Sequence, residues 1–430
     1  MLQITLPYGH GTWDLDLPKT GWVGTFLPKR PEIVTSEGEI IEKALDWPVE
    51  SATLEQMVEP GMGVAIVTSD NTRPCPNSVL LPPLIERLNA GGVPDENITI
   101  VIALGLHRPM TDAELRDSVG EDVFRRVKVI NHDVDDVVEV GRTSRGTPVE
   151  VFRLVVEADF RVCVGNVEFH YFAGFSGGAK ALVPGVAAPV TVNRNHGHMV
   201  EDAAVAARLE GNPVREDLEE AAALVGADFI LNVVVDEYHK VIDAVAGDPL
   251  VAHRILCQRL QETGIVDIPQ PLDMAIVSAG GNPKDLNLYQ AQKALDNCSG
   301  VVRQGGLIVL LAQCPEGYGN NVFQQWMTSG KTPIQLLEDI RQDFVLGGHK
   351  AAAISKIATN IKILLVTGEQ LAHEDLAGIS VYHDLQLAVD AGFELVGQDA
   401  VYAVFPHGAS TLPKISGKSA VWNIYKSGSD

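Results

Sequence analysis

The chain has 430 residues, of which 46% are apolar and 21% charged, with 40 glycines and 24 prolines. This composition is that of a globular protein and excludes a disordered, collagen-like or repeat-dominated chain. At this length, two α/β-sized domains are the default. The formal net charge of −23 disfavours nucleic acid or an anionic membrane as a partner. A local cluster of cations can still bind a small anionic substrate.

The N-terminal sequence and the cysteine pattern indicate the cellular compartment of the protein. The N-terminal segment lacks the basic start and apolar core of a signal peptide, and no run of 18 apolar residues occurs. The five cysteines are scattered and never form a Cys-x-x-Cys pair, which disfavours a disulfide framework or a structural zinc module. We therefore expect a cytoplasmic protein with mostly buried thiols.

Apolar runs of strand length alternate with helical stretches along most of the chain. The predicted strands cover residues 63–68, 98–104, 127–131, 160–166, 274–278, 306–311, 361–366 and 400–404. The predicted helices cover residues 79–90, 112–127, 215–225, 250–263, 288–302, 333–341, 350–358 and 384–391. Such alternation predicts an α/β fold with two domains, each with a largely parallel sheet flanked by helices.

A Pro-rich stretch between residues 265 and 272 predicts the domain boundary. We expect an N-terminal cofactor-binding domain at 1–268 and a C-terminal domain at 269–430. The last segment, from about residue 408, could pack back on the first domain. Because open parallel sheets bind ligands at the C-terminal ends of their strands, the active site is expected there, in the cleft between domains.

Two polar turns follow the first two predicted strands. In the first, Asp70 and Arg73 precede a proline, and the guanidinium can hold a carboxylate or phosphate through two parallel hydrogen bonds. In the second, His107 is a candidate acid or base because its ordinary pKa lies near neutrality. Thr111 and Glu114 predict a capping box for the next helix. The alternative for the first turn is a local Asp–Arg pair.

The densest polar segment runs from Asn166 to Gly185. Its Gly-rich loop, Ser176-Gly177-Gly178, can present backbone N–H groups to a phosphate, and Lys180 follows with an amine. The spacing is not that of a Walker A loop. Nearby histidines raise the prospect of a metal or acid/base site, although one or two could be core or capping residues. Four candidate histidines lie in this third of the chain, His107, His170, His196 and His198, and His198 best fits the structural role.

A fourth segment lies in the predicted second domain. Tyr289, Gln290 and Lys293 share one face of the helix that follows the loop at 279–287. The lysine beside tyrosine and glutamine would make an anion clamp. The alternative is an ordinary solvated helix face.

Together these segments resemble the nickel-pincer-nucleotide lactate racemase family of 2-hydroxyacid racemases and epimerases. The resemblance spans nearly the whole chain and rests on five motifs. They are Asp-x-Thr-Arg-Pro at 70–74, Gly-x-His-Arg-Pro at 105–109, His-Tyr-Phe-Ala-Gly-Phe-Ser-Gly-Gly-Ala-Lys at 170–180, Asn-His at 195–196, and Tyr-Gln-x-x-Lys at 289–293.

The resemblance implies a cofactor, a pyridinium-3,5-bisthiocarboxylic acid mononucleotide that binds nickel, and the enzymes that synthesise it. By position, Lys180 matches the lysine that tethers the cofactor, and His196 matches the nickel ligand. His107 and His170 match the acid/base pair. Asp70 and the loop at 176–178 are assigned to cofactor binding, with the nucleotide phosphate expected on that loop.

The implied activity is that of an isomerase, which racemises or epimerises C2 of a 2-hydroxy acid by reversible hydride transfer to the cofactor. Arg73 and Lys293, with Tyr289 and Gln290, would hold the substrate. The substrate side chain is not determined: lactate, longer aliphatic or aromatic acids, diacids and sugar acids all fit.

Two alternatives come from other classes of protein. A zinc-dependent hydrolase could use His107, His170 and His196, but no His-Glu-x-x-His or His-x-Glu-x-His pattern is present. A non-catalytic nucleotide-binding protein would leave His107 and His170 without a role.

Overall fold

The computed structural model describes residues 1–28, 35–236, 238–342, 344–371 and 376–416. In chain order its strands are β1 (Leu2–Tyr8), β2 (Gly11–Leu17), β3 (Trp22–Thr25), β4 (Val64–Ser69), β5 (Ile98–Ala103), β6 (Lys128–Asn131), β7 (Val137–Arg142), β8 (Pro148–Phe152), β9 (Phe160–Asn166), β10 (Phe169–His170), β11 (Gly174–Phe175), β12 (Phe229–Val235), β13 (Val241–Gly247), β14 (Ile265–Ile268), β15 (Leu272–Ser278), β16 (Val302–Leu311), β17 (Lys362–Val366), β18 (Ile379–Tyr382), β19 (Tyr402–Phe405) and β20 (Leu412–Ile415).

The α-helices of the same residues are α1 (Glu37–Asp46), α2 (Leu54–Met57), α3 (Asn77–Ala90), α4 (Asp112–Val119), α5 (Glu121–Arg126), α6 (Arg153–Glu157), α7 (Pro189–Gly197), α8 (Pro213–Val225), α9 (Val251–Gly264), α10 (Leu288–Ser299), α11 (Asn321–Met327), α12 (Pro333–Gln342), α13 (Gly348–Ala358) and α14 (Leu385–Val396). Among them, none combines the length and the apolar character needed to cross a bilayer.

The chain divides into two compact units, one with the described residues of 31–262 and one with those of 1–30 and 263–430. The 31–262 unit contains a sheet with the strand order β13-β12-β9-β4-β5-β6. Its pairs are parallel except β12 with β13. The central strand β4 is buried from Val64 to Thr68, as expected for a parallel strand with helices on both faces.

The other unit contains a sheet with the strand order β18-β17-β16-β15-β19-β3. All of its pairs are parallel. In both sheets the chain moves outward from one strand and then returns to that strand's other side, at β9 in the first sheet and at β19 in the second. Such a reversal of strand order leaves a crevice at the C-terminal ends of the strands, where open α/β sheets bind ligands. The α/β fold with largely parallel sheets is therefore confirmed.

The N-terminal strands belong to the C-terminal unit, which differs from the predicted division at residues 268 and 269. Strand β3 pairs with β19 at the edge of the C-terminal sheet. The β1–β2 hairpin buries Leu6, Leu15 and Leu17 in one cluster with Met274. Near the other terminus, β20 pairs with β14 of the same unit. The remainder of the last segment, residues 417–430, lies outside the described residues, so its predicted packing on the first domain stays a prediction.

The predicted strands all occur, with ends shifted by at most a few residues. One predicted helix, at 112–127, is two helices, because Gly120 adopts a φ of 87° that ends α4 and begins α5. The predicted capping box of Thr111 and Glu114 is present at the start of α4. The hairpins β1–β2 and β7–β8, the helices α1 and α7, and the strands β12 and β13 were not predicted from the sequence.

The N-terminal hairpin is expected to contribute strongly to the stability of the C-terminal unit. Leu15 is 1% exposed, so Leu15→Ala removes buried methyl groups and leaves a cavity. The expected loss is about 2–5 kcal/mol in the free energy of unfolding. Leu387→Ala, at a position 64% exposed, is the control and should change it by less than about 0.5 kcal/mol. Equal effects in denaturant titrations would show that the hairpin is not part of the core.

Candidate active site

Three predicted site segments meet at one edge of the 31–262 sheet. Asp70 directly follows β4, His107 follows β5, and the segment from residue 167 onward follows β9. Strand β4 is hydrogen-bonded to both β5 and β9 in parallel register. The C-terminal ends of these strands therefore bring the three segments to the same edge, at the reversal of strand order between β4 and β9.

His107 is held by a buried carboxylate. Its Nδ1 lies 2.7 Å from Oδ2 of Asp70, which is 5% exposed, whereas the His107 side chain is 44% exposed. Oδ1 of Asp70 accepts hydrogen bonds from the hydroxyl of Thr72 at 2.6 Å and from its backbone N–H at 3.2 Å. Burial raises the pKa of Asp70, but the hydrogen bond and charge of His107, with Thr72 and Arg73, leave that pKa below its usual value.

The ionised Asp70 determines which His107 nitrogen carries hydrogen. A carboxylate oxygen only accepts, so Nδ1 donates and the neutral ring has its lone pair on Nε2. The structure thus gives Asp70 a contact with the predicted acid/base residue, where the sequence had assigned it to cofactor binding.

His170 has the opposite arrangement. It lies in the short β10–β11 hairpin, and the backbone N–H of Ala173 donates to its Nδ1 at 3.2 Å. Nδ1 therefore accepts, and the neutral ring carries its hydrogen on Nε2. When both rings are neutral, Nε2 therefore carries a lone pair on His107 and a hydrogen on His170.

Phe172 brings together three other predicted site residues. Its ring, 3% exposed, lies 4.5 Å from the ring of His170 and 4.9 Å from that of His196, both edge to face. Lys180 Nζ lies 5.7 Å from the centre of the same ring, within the range of a cation–π interaction. The predicted tether lysine, nickel ligand and one acid/base residue are therefore neighbours, although Lys180 and His196 are 16 positions apart in sequence.

The Gly-rich loop uses its polar groups internally. The Ser176 hydroxyl donates to the Asn166 carbonyl at 2.8 Å and accepts the Glu168 N–H at 2.8 Å. The Gly178 N–H donates to Oδ1 of Asn232 at 2.7 Å. These contacts support a scaffolding role for Ser176 and Gly178, and leave neither group as a donor for the predicted phosphate contact. At Gly177, a Cβ would lie 2.8 Å from Oδ1 of Asn232.

Two buried residues that the sequence analysis missed hold this loop and the residues directly before it. His253 Nε2 donates to the Ser176 carbonyl at 2.8 Å, and burial, with nearby cations, lowers the His253 pKa to about 3, so the ring is neutral. Arg215, fully buried on α8, donates through Nε to the Ala173 carbonyl at 3.1 Å and through Nη2 to the Phe175 carbonyl. The only sequence signal for Arg215 is its place among the apolar positions of α8.

The two arginines of the predicted turns differ. Arg108 is exposed and makes a bidentate pair with Glu114, at 2.8 and 2.6 Å, that supports the start of α4. Arg73 is half-buried, and among the described residues its guanidinium forms no hydrogen bond or ion pair. An unpaired, half-buried guanidinium beside the Asp70–His107 pair can bind an anion.

The predicted clamp residues lie on α10 of the C-terminal unit. Asn287 caps this helix by accepting the Gln290 N–H at 3.1 Å, and Tyr289 and Lys293 follow on adjacent turns. Lys350 of α13, which the sequence analysis missed, donates to the Tyr289 carbonyl at 2.6 Å and lies 4.3 Å from the centre of its ring. His198, assigned a structural role, contacts Glu201 at 3.0 Å.

Comparison with known proteins identifies the family of this chain. Residues 8–207 match the lactate racemase N-terminal domain family, and residues 268–412 match the lactate racemase C-terminal domain family. The lactate racemase of Thermoanaerobacterium thermosaccharolyticum is 31% identical over 96% of this chain and 99% of its own. That of Lactiplantibacillus plantarum is 30% identical over 96% of this chain and 100% of its own.

The solved structures agree with the sequence relatives. The lactate racemase apoprotein of T. thermosaccharolyticum superimposes with a TM-score of 0.90 at 31% identity, over 96% of this chain and all of that one. The chain therefore belongs to the lactate racemase family, as the five motifs predicted. It is an isomerase of the racemase type.

Gly178 is expected to be indispensable for the shape of the loop. Its φ is +57°, and a Cβ there would lie 2.8 Å from the ring of buried His253. Gly178→Ala should therefore lower the free energy of unfolding by about 1–3 kcal/mol. Gly197→Ala is the control, because a Cβ there meets nothing within 4 Å, and it should stay within about 0.5 kcal/mol of wild type. A Gly178→Ala protein as stable as the control would contradict this role.

Proposed function

We propose that this protein interconverts the two enantiomers of a small 2-hydroxy acid, with lactate as the first substrate to test, by reversible hydride transfer at C2. The observation that carries the proposal is the pair of histidines with different Nδ1 partners, since Nδ1 of His107 faces the Asp70 carboxylate and Nδ1 of His170 accepts the Ala173 N–H. The names of the two relatives, both lactate racemases, support lactate.

The chemistry explains why two histidines are needed. Removing the Cα hydrogen of a 2-hydroxy acid as a proton is difficult, because the adjacent carboxylate and hydroxyl leave that hydrogen weakly acidic. Removing it as hydride is easier when a base takes the hydroxyl proton at the same time and leaves a 2-keto acid. Return of hydride to the opposite face, with a proton from an acid on that side, inverts the centre. His107 and His170 are the residues proposed for these steps.

Charged side chains would orient the substrate. Arg73 has an unpaired guanidinium next to Asp70, and a guanidinium holds a carboxylate through two parallel hydrogen bonds. The assignment of Lys293, Tyr289 and Gln290 to substrate binding remains a prediction from the sequence. Fixing the carboxylate restricts the position of Cα, which is the atom that must lose and regain hydride.

The residues around Phe172 fit the nickel-pincer nucleotide that the sequence predicts. Nδ1 of His196 lies 3.2 Å from Oδ1 of Asn195, and imidazole nitrogen suits nickel(II). Lys180, which shares Phe172 as a neighbour, would supply the amine that tethers the cofactor. When bound, the cofactor would accept hydride and return it. The need for cofactor-synthesis enzymes and the cytoplasmic location remain predictions.

The zinc-hydrolase alternative receives no support. A catalytic zinc site needs three protein ligands, and among the described residues no three His, Cys, Asp or Glu side chains are grouped to hold a metal ion. A single protein ligand suffices for nickel when the cofactor supplies the other donors. A purified protein that contained zinc and hydrolysed an ester or an amide would support the zinc-hydrolase alternative.

Arg73 should be essential for substrate use but not for folding. Arg73→Ala removes a charge-assisted contact to the carboxylate and should lower kcat/KM by about 2–4 kcal/mol of transition-state stabilisation. Arg73→Lys should also be impaired, because it loses the bidentate geometry. Arg108→Ala is the matched control, since Arg108 pairs with Glu114, and should retain activity. Wild-type kcat/KM in Arg73→Ala would remove this residue from substrate binding.

The hydride route is tested by running the racemisation in D2O with cofactor-loaded protein. Hydride held away from solvent should return as protium, so the product enantiomer should contain little deuterium at Cα. His107→Ala and His170→Ala should each suppress both directions, because the equilibrium constant of a racemisation ties the two rates together. His198→Gln serves as the control and should stay active.

Two outcomes would contradict the proposal. Extensive deuterium at Cα would indicate a proton-abstracting racemase, and the absence of racemisation with every 2-hydroxy acid of an enantiopure panel would remove the substrate class. Substrate deuterated at Cα should show a primary isotope effect unless product release limits the rate.

A further inference from the structure

A buried chain of hydrogen bonds leads from the β7–β8 turn to His196. It contains Thr143 and Thr147 of the turn, Asp217 of α8 and Asn195 of α7, which are all at most 5% exposed. None of these residues belongs to the catalytic or substrate-binding groups described above. Because unpaired polar groups are costly in a protein interior, a network buried this completely constrains the orientation of each member.

Asp217 is the centre of this network. Its Oδ1 accepts the Thr143 hydroxyl at 2.5 Å, and its Oδ2 accepts the Thr147 hydroxyl at 2.9 Å and the Asn195 Nδ2 at 2.8 Å. The Thr143 hydroxyl also accepts the Thr147 backbone N–H at 3.1 Å, so its own hydrogen is directed to Asp217. The carboxylate therefore acts only as an acceptor.

The acceptors around Asn195 settle the orientation of its amide. Nδ2 donates to the Asp217 carboxylate and to the Val214 carbonyl, the latter at 3.1 Å. Rotating the amide by 180° would place its oxygen against these two acceptors, which is unfavourable. Oδ1 of Asn195 must therefore face His196, whose Nδ1 lies 3.2 Å away. An oxygen at this place accepts, so Nδ1 carries the ring hydrogen.

We infer that Asp217 and Asn195 are positioning residues that keep His196 in the Nδ1–H tautomer, so that Nε2 is the atom directed to nickel. This inference rests on the proposed function for the nickel, and extends it to two residues that contact neither substrate nor metal. The hydrogen bond made by one imidazole nitrogen decides which nitrogen is available as a ligand. Losing such an outer contact typically lowers metal affinity about 10–100-fold.

The first test reads the tautomer in cofactor-free protein labelled with ¹⁵N-histidine. Two-bond ¹H–¹⁵N correlation spectra distinguish the two neutral tautomers, and the His196 signals are assigned by their loss in His196→Gln. Wild type should show the Nδ1–H pattern. Asn195→Ala should lose it, whereas Asn193→Ala, an exposed asparagine on the same helix, should keep it.

Asp217→Asn tests the carboxylate at nearly unchanged volume. The new amide can present either its oxygen or its N–H to Asn195, whereas the Val214 carbonyl still accepts from Asn195 Nδ2, so the restraint on the Asn195 amide is weakened rather than reversed. The expected result is a His196 ring that populates both tautomers in a folded protein, and a fully retained Nδ1–H pattern would show that Asp217 does not position His196. If Asn195→Ala fails to fold, the His196 tautomer in Asp217→Asn still tests the inference, and a melting curve shows that this variant is folded.

The second test measures nickel retained per protein after dialysis of cofactor-loaded samples. Asn195→Ala and Asp217→Asn should retain nickel about 10–100-fold less tightly than wild type and Asn193→Ala. A wild-type Nε2–H pattern at His196, or nickel retention equal among all four proteins, would overturn the inference. A wild type that shows the Nδ1–H pattern but binds no nickel would instead contradict the proposed function.

Discussion

The parallel pairing of β4 with β5 on one side and β9 on the other is the constraint on which the candidate site depends. A one-residue slip in the register of the three strands would force both buried faces of β4 to repack and would disturb the buried hydrogen bond of Thr68 with Asn77 at 2.6 Å. Their C-terminal ends are therefore held together, and with them Asp70, His107 and the segment that leads to Lys180. The same reversal of strand order, repeated around β15 and β19, places the loop before α10 at an equivalent edge of the second sheet.

The segment from 167 to 180 has little regular structure, so its backbone polar groups need partners from elsewhere. Buried side chains supply them: Arg215 binds two carbonyls, His253 binds one, and Asn232 accepts an amide hydrogen. Each of these contacts orders a loop that would otherwise sample many conformations, at the cost of burying polar groups. The result is a rigid support for His170, Phe172 and Lys180, which a reaction with strict geometry requires.

Charge is distributed in a way that suits a small anionic substrate. The chain has a net negative charge, with 56 acidic residues against 33 lysines and arginines. Arginines such as Arg87 form ion pairs with carboxylates, in this case those of Glu42, Asp46 and Glu55. Arg73 differs because it lies half-buried with no ion-pair partner among the described residues, next to an Asp70 that already interacts with His107. The guanidinium of Arg73 could therefore bind the carboxylate of a substrate. The net negative charge of the protein disfavours the binding of larger polyanions.

The sequence by itself determined the α/β class, the strands that carry the site, and five motifs, of which three follow strands and two lie on helices, because apolar runs, turn residues and motif spacing are local properties. It also singled out His107, His170, Lys180 and His196, whose chemistry is evident from residue type. The membership of residues 1–28 in the C-terminal unit was decided only by the tertiary structure, since β3 pairs with a strand almost 400 positions away, with Ala403 opposite Gly24. The same is true of the polar partners, because they are distant in sequence: Asp70 lies 37 positions from His107, Asp217 lies 22 from Asn195, Gly178 lies 54 from Asn232, and Ser176 lies 77 from His253. No local pattern encodes such a pairing; it follows from the burial of both partners in the folded chain, where each polar group must find an acceptor or a donor.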